Sequence, residues 1–388
     1  MILIATSSTS KVASKHFNAC KTDVSRRIDF LIDFCNALGN STFITLLPLQ
    51  TISQKYRLKD DSLKTMINSV LRPKYKKKKK TLNLTNTELL EILRSGNQNF
   101  TLHSPNYYKE CFDFFTTIKK DLSKILKGSP DYLYNNYVHS SNKHLQKRYR
   151  LLLEKVFQYE KLTGNGYSIK KNKKWNSYEL TKSLETNVCP YCNKNWINTV
   201  FTEDHKKITN PQLDHYFSKS DYPVLRLSFY NLIPSCETCN ARIKKAQELD
   251  YSKNTHPFET GFDPFGKIVA SAKDTKSAQG LGVNFSVNLE FDNDTDDDDK
   301  VKIEKTFDFF KIKPIYEKHG DIFKEIYFKH QKYGFTYLHE LLSDEKFKGM
   351  KIEDLYQLIY GNYINVDDYK KRPFAKVTKD TVESLGIL

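Results

Sequence analysis

Long apolar runs are missing from this chain. Nowhere do about 18 consecutive apolar residues occur, so the sequence predicts no membrane-spanning helix. The opening Met1-Ile-Leu-Ile-Ala-Thr6 has neither the basic flank nor the length of a signal peptide, and the simplest expectation is a cytoplasmic protein with no membrane partner. Cysteine is scarce, at seven in 388 residues, and only four of the seven are paired in spacing. Cys20, Cys35 and Cys111 are scattered without a pairing rhythm, which argues against a disulfide framework and for small buried hydrophobes in a reducing compartment. There is no internal repeat, and the only low-complexity segments are charge runs. Disorder is excluded by 39% hydrophobic and 13% aromatic content, enough for two or three packed domains. What remains conspicuous is charge: 62 basic against 46 acidic side chains, a formal +16, which favours a polyanionic partner, nucleic acid or, less specifically, an anionic membrane surface, and charge alone does not choose between them.

Periodicity gives an α+β chain that is mostly helical, in three stretches: a helical region 1–175, a central segment 176–265 that carries the paired cysteines, and a C-terminal region 266–388 with a β-hairpin and helices. In the first, Leu145, Tyr149, Leu152, Val156 and Tyr159 recur at helical steps, with Asn142 as a cap and Gly164 as a stop. The run from Lys74 to Lys80 reads as a solvated loop or a phosphate-contacting arm, as does Lys170-Lys171-Asn172-Lys173-Lys174 ahead of the first cysteine pair. In the third, Val283, Phe285, Val287, Leu289 and Phe291 alternate with polar residues, as do residues 301–307, so the Asp-rich 292–299 is expected at a hairpin tip. That loop lacks the glycine and terminal glutamate of an EF-hand, and a solvated loop is expected rather than a calcium site. Ile352, Leu355, Tyr356 and Ile359 before Gly361 predict a helix.

The chemistry concentrates in the centre. Cys189-Pro-Tyr-Cys192 and Cys236-Glu-Thr-Cys239 have the spacing of two knuckles that share one tetrahedral zinc ion. Between them lie 43 residues, far more than a zinc ribbon needs. Asp214-His215 in that interval is chemistry a structural zinc does not require: a hard metal ligand next to a general base. Residues 206–215 can supply a strand ending on Asp214 and His215, 231–235 a returning strand, and Cys236 onward a helix. On that helix Asn240 and Lys244 share a face, and a magnesium or manganese ion between Asp214 and Asn240 is expected. Lys219, Arg226, Arg242 and Lys244 are candidate contacts to flanking phosphates. His205 and His256 are weaker candidates.

In order, Cys189-x-x-Cys192, Asp214-His215, Asn231-Leu232 and Cys236-x-x-Cys239-Asn240 resemble an HNH endonuclease, the ββα-metal fold, closely over Val188 to Lys245. The resemblance implies His215 as general base, Asp214 and Asn240 as ligands of the catalytic ion, Asn231 as the brace of the loop behind the base, and products with 5′-phosphate and 3′-hydroxyl ends. A looser resemblance, on Trp175-Asn-Ser-Tyr-Glu-Leu180, His256-Pro-Phe258 and Lys371-Arg-Pro-Phe-Ala-Lys376, is to longer HNH proteins encoded beside an ATPase in bacterial anti-phage systems of Septu and retron type. It implies an ATPase partner protein. The expected function is metal-dependent cleavage of DNA; the alternative is a non-catalytic, zinc-stapled nucleic-acid-binding protein or adaptor.

Overall fold

The computed structural model describes residues 1–4, 8–39, 54–70, 72–73, 100–101, 103–140, 143–170, 173–204, 206–245, 247–263, 265–333 and 337–387. The lysine run 74–80, Asn142, Lys171, Asn172 and His205 lie outside the described residues. The fold is mixed, 55% helical, and the sheets among the described residues are small antiparallel strand pairs. No described helix is long and apolar enough to cross a membrane. The chain divides into two compact units that interleave in sequence: residues 13–176 with 217–231, and residues 1–12 with 177–216 and 232–388.

The first unit is built on α1 (Thr9–Gly39), a 31-residue helix free of proline and of glycine before its last position. His16, Cys20, Val24, Ile28, Leu31 and Cys35 recur at three- and four-residue steps and are all buried, so one stripe faces the core. Ser104 caps α2 (Pro105–Lys120), accepting from Tyr107 N, with Pro105 in the first turn where its missing N–H costs nothing. Cys111 of α2 meets Cys35 of α1 with the two Sγ atoms 3.0 Å apart, and all three unpaired-spacing cysteines are fully buried. Next comes the short α3 (Leu122–Lys127).

The expected single helix through Leu145 to Tyr159 is instead three: α4 (Lys143–Arg148), α5 (Arg150–Val156) and α6 (Tyr159–Thr163), the last closed at Gly164. The breaks fall where aromatic side chains are anchored. Tyr149 stacks on Phe114 and donates to Glu110 Oε2 at 2.7 Å, and Phe157 is fully buried, so tertiary packing overrides the local helical preference. The unit's hairpin, β1 (Tyr167–Lys170) with β2 (Lys173–Trp175), ends on a buried tryptophan.

In the second unit β3 (Gln212–His215) and β4 (Leu232–Ser235) pair antiparallel, Gln212 opposite Ser235 and His215 opposite Leu232. β5 (Gly266–Ala272) and β6 (Phe285–Phe291) pair over seven residues. This corrects the expected hairpin: β6 takes the preceding strand as partner, and residues 301–307 lie inside α7 (Asp297–Phe309). The Asp-rich segment starts that helix. Asp296 accepts from Asp298 N at 3.0 Å, and Asp297, Asp298 and Asp299 sit in the first turn, where negative charge meets unpaired N–H groups and the positive end of the dipole. Ile303 and Phe307, one turn apart, are buried, so the period-two pattern of polar residues there was compatible with a helix face. α8 (Ile352–Tyr360) ends at Gly361 in a left-handed conformation (φ 64°), which glycine adopts without strain.

The open edge of β5 is closed by side chains of α9 (Ala375–Ser384). Ile268 N donates to Asp380 Oδ2 at 2.7 Å and Ala270 N to Thr381 Oγ1 at 3.2 Å, which satisfies an edge that would otherwise recruit another strand. Under this junction Lys376, 1% exposed, reaches Asp263 and Asp380, each at 2.9 Å, and Gly266 O at 3.0 Å. Burial pushes the Asp380 carboxyl up to about 6. Lys376→Met leaves the buried Asp380 and the half-buried Asp263 without their cation, and a loss of about 3–5 kcal/mol is expected in urea unfolding. A loss under 1 kcal/mol would show that the pair is replaceable.

Candidate active site and metal centre

Cys189, Cys192, Cys236 and Cys239 converge, all buried, with every Sγ within 4.8 Å of the others. A zinc ion with Zn–S distances of about 2.3 Å requires sulfur pairs about 3.8 Å apart, and Cys192 and Cys236 stand at 4.0 Å. The donor set therefore fits a metal such as zinc. The knuckles also carry the amide contacts that thiolates favour: Cys239 N donates to Cys236 Sγ at 3.4 Å, and Asn195 Nδ2 donates to the same sulfur at 3.2 Å. Four thiolates this close together repel one another, so a cation is needed to keep all four ionised.

The first knuckle is bolted to the C-terminal segment. Asn193 turns into left-handed backbone (φ 44°), accepts at its carbonyl from Phe374 N (2.6 Å) and at Oδ1 from Lys376 N (3.2 Å), and donates to Tyr369 O (3.0 Å). Cys192 O accepts from Tyr316 OH at 2.6 Å. Sequence reasoning missed Asn193, although its place directly after a cysteine of the cluster was a usable signal.

From the second knuckle the chain enters a wide π-helical turn, Thr238–Lys244, closed by Lys245 N donating to Asn240 O. Successive strand residues point to opposite faces, so Gln212 and Asp214 share the face of β3 opposite to that of His215. The π turn lies along the Gln212/Asp214 face. Asn240 Nδ2 donates to Gln212 Oε1 at 2.9 Å, and Lys244 Nζ, one turn on, reaches Asp214 Oδ1 and Oδ2 at 2.7 and 2.9 Å. The same ammonium donates to His215 O at 2.5 Å, and Tyr191 OH donates to Asp214 Oδ2 at 2.6 Å. Burial, with the Asp214 charge behind it, raises the Tyr191 hydroxyl far above its ordinary range and keeps it a donor. Asp214 and Lys244 are 5% and 4% exposed.

Asp214 thus holds a cation in a cradle of carboxylate and carbonyl oxygens, and the cation is an ammonium of its own chain. Its chemistry suits a hard divalent ion, and Asp214 with the His215 carbonyl would hold one. The structure brings Asn240 to Gln212 rather than to Asp214.

His215 is buried at the end of β3, at 8% exposure. The loop that follows is pinned at its start by Asn231: Phe217 N donates to Asn231 Oδ1 (2.7 Å), and Asn231 Nδ2 donates to Phe217 O (3.1 Å) and Leu225 O (3.0 Å). His256 packs against the Tyr216 ring, centroids 4.3 Å apart, and accepts at Nδ1 from Phe258 N.

Two expected phosphate contacts are corrected. Lys244 is the buried partner of Asp214, and Arg226, 8% exposed, is held by Glu154 and Glu160 at 3.4 and 2.5 Å. Arg226 lies among apolar neighbours and Lys244 among polar ones, and in both cases the carboxylates that draw the side chain inward are far away in sequence, 30 residues for Lys244 and 66 or more for Arg226. Arg242 is exposed and paired with Glu237, and Lys219 lies over the Tyr159 ring.

Purified protein is expected to carry zinc in a 1:1 ratio by elemental analysis, and Cys192→Ser to lose both the zinc and the cooperative unfolding transition. A metal-free wild type that unfolds at the same temperature as a zinc-loaded sample would contradict this. No protein-family model, curated protein or solved structure matches the chain.

Proposed function

We propose that the chain is an HNH-type endonuclease that hydrolyses phosphodiester bonds of DNA with a divalent ion, magnesium or manganese. The observation that supports it best is the assembly on β3: Asp214 and His215 adjacent at the strand end, the antiparallel return through Leu232–Ser235, and the π turn laid back over Asp214 directly after the second knuckle. In this reading His215 takes the proton from water, which requires the neutral imidazole and hence a pH near or above about 6.5. Asp214 and the His215 carbonyl would hold the divalent ion, which when bound would supply charge neutralisation at the leaving oxygen. Asn231 keeps the loop after His215 in one conformation, and the four-cysteine centre fixes the start of the π turn. We extend the proposal to an effector of anti-phage defence working with an ATPase, on the looser motifs alone.

A second reading has one observation in its favour. The buried Asp214–Lys244 pair is complete as it stands, as it would be in a nucleic-acid-binding protein that needs no catalytic ion.

Three cleavage measurements separate the readings. Wild type with manganese or magnesium nicks or cuts supercoiled DNA, and His215→Ala does not while keeping its fold and its DNA affinity. Cleavage falls as the pH is lowered and the imidazole takes a proton. Lys244→Met, which empties the cradle of its ammonium, lowers the manganese concentration for half-maximal cutting by about tenfold, the equivalent of about 1.4 kcal/mol. Under the second reading the same substitution costs about 3–5 kcal/mol of stability, and no variant cuts at any metal concentration.

A further inference from the structure

The positive charge of this protein is not spread over it. Residues 13–176 and 217–231 hold 33 basic and 14 acidic side chains, a net +19, whereas the unit that carries the cysteine centre and Asp214 holds 29 and 32, a net −3. The lysine run is not the cause, since without its six lysines at 74 and 76–80 the first unit still carries +13. A difference of this size between two halves of one chain calls for a partner that touches the first.

The charge has a surface to act from. On α1 the outward stripe is Lys15, Asn18, Lys21, Thr22, Ser25 and Arg26, exposed at Lys15, Asn18 and Thr22 and half-buried at the other three, all basic or hydrogen-bonding and without a carboxylate before Asp29. Asp23, the one acid in this stretch, turns the other way to Arg27 and Lys161, at 3.1 and 2.9 Å. From Lys15 to Arg26 the stripe is about 16 Å long, a length over which one strand of a duplex presents about five phosphates.

Both flanks continue it. On one side Lys15 Nζ lies 4.6 Å over the Trp175 ring, next to the exposed Lys173 and Lys174 of β2. On the other, Lys21 and Lys127 share the Phe17 ring at 5.1 and 5.3 Å, with Lys124 one turn before on α3. Among the described residues none of these six lysines has an ion-pair partner.

The register of the surface is fixed from below. His16 Nδ1 accepts from the Trp175 indole N–H (3.0 Å) and Nε2 donates to Leu227 O (2.7 Å), an arrangement only the neutral ring can make, and burial lowers this histidine to about 4. The hairpin and α1 are therefore locked together at every physiological pH. Trp175 is fully buried and Phe17 lies beneath its lysines, so no ring is offered for a base to stack on. That argues against single strands, which need such platforms.

We infer that this three-element face, α1 flanked by β2 and α3, is a sequence-independent binding site for the phosphate backbone of double-stranded DNA. It deepens the nuclease reading by naming where the substrate is held, and rests on that reading only for the choice of DNA. Contacts of this kind position a duplex without reading it.

The test uses the full chain in EDTA, so that cutting plays no part, and a fluorescent duplex followed by anisotropy across a salt series. Lys15→Glu/Lys21→Glu/Lys127→Glu is expected to weaken binding at least about tenfold near 0.1 M salt and to flatten the plot of log K against log salt by about 2.7. The triple Gln variant shows the same direction with a smaller loss. Reversal of Lys305, Lys324 and Lys346 on the other unit leaves both quantities unchanged, and circular dichroism checks that every variant is folded. Triple-Glu binding within twofold of wild type, an equal loss in the control variant, preference for an RNA duplex, or preference for anionic phospholipid vesicles would each overturn the assignment. Binding that survives when no variant ever cuts leaves this site standing and removes the nuclease reading alone. Cutting that persists with undiminished binding in the triple-Glu variant removes this site alone.

Discussion

The four-cysteine centre is the constraint on which the second unit depends. Its ligands come from two segments 44 residues apart, and neither could hold its place by packing alone. The Cys189–Cys192 knuckle is short and irregular, and its backbone is tied to distant parts of the chain, through the adjacent Asn193 to Tyr369 and Phe374 and through Cys192 O to Tyr316. The Cys236–Cys239 knuckle joins a four-residue strand to a seven-residue π turn, elements too short to be stable by themselves. A metal that binds four thiolates contributes folding energy directly, which is how such short pieces can be fixed to the accuracy a site needs.

What the centre positions is a carboxylate with its cation. Lys244 leaves the π turn one turn after Asn240 and delivers its ammonium to Asp214, with Tyr191 on the other side. A buried ion pair is weak support for stability, because desolvation offsets much of the attraction, yet removal of one partner is costly. The arrangement therefore favours a cation at Asp214 under all conditions without dictating which one. Lys376, between Asp263 and Asp380, follows the same physics with a purely architectural result: it ties α9 to the edge of β5. The molecule separates its labour electrically, with a nearly neutral unit around the cysteines and a strongly basic one beside it in sequence.

Much of this was legible in the residues. The cysteine spacing foretold a convergent thiol cluster, and Asn231 to Ser235 read as a strand returning on the one that ends at His215, because the apolar pattern and the flanking turn residues agreed. Gly361 and Gly164 marked helix ends for the reason that glycine usually does. The failures share a cause, side chains whose partners are far away in sequence. Tyr149 and Phe157 break a helix that the local periodicity extends, since aromatic packing from α2 holds Tyr149 and Phe157 is fully buried. Arg226 and Lys244 read as surface cations because nothing near them in sequence reveals Glu154, Glu160 or Asp214. Residues 301–307 alternate like a strand, and the aspartates ahead of them, read as a hairpin tip, were the stronger signal for a helix start.

The account turns on whether the cation at Asp214 can be exchanged. Crystals of the His215→Ala protein grown with manganese, measured at the manganese absorption edge, would test this most directly. The account predicts an anomalous peak against the Asp214 carboxylate with the Lys244 side chain withdrawn. An ammonium still seated on Asp214, with no manganese beside it at saturating concentration, would contradict it and leave the pair as structure alone.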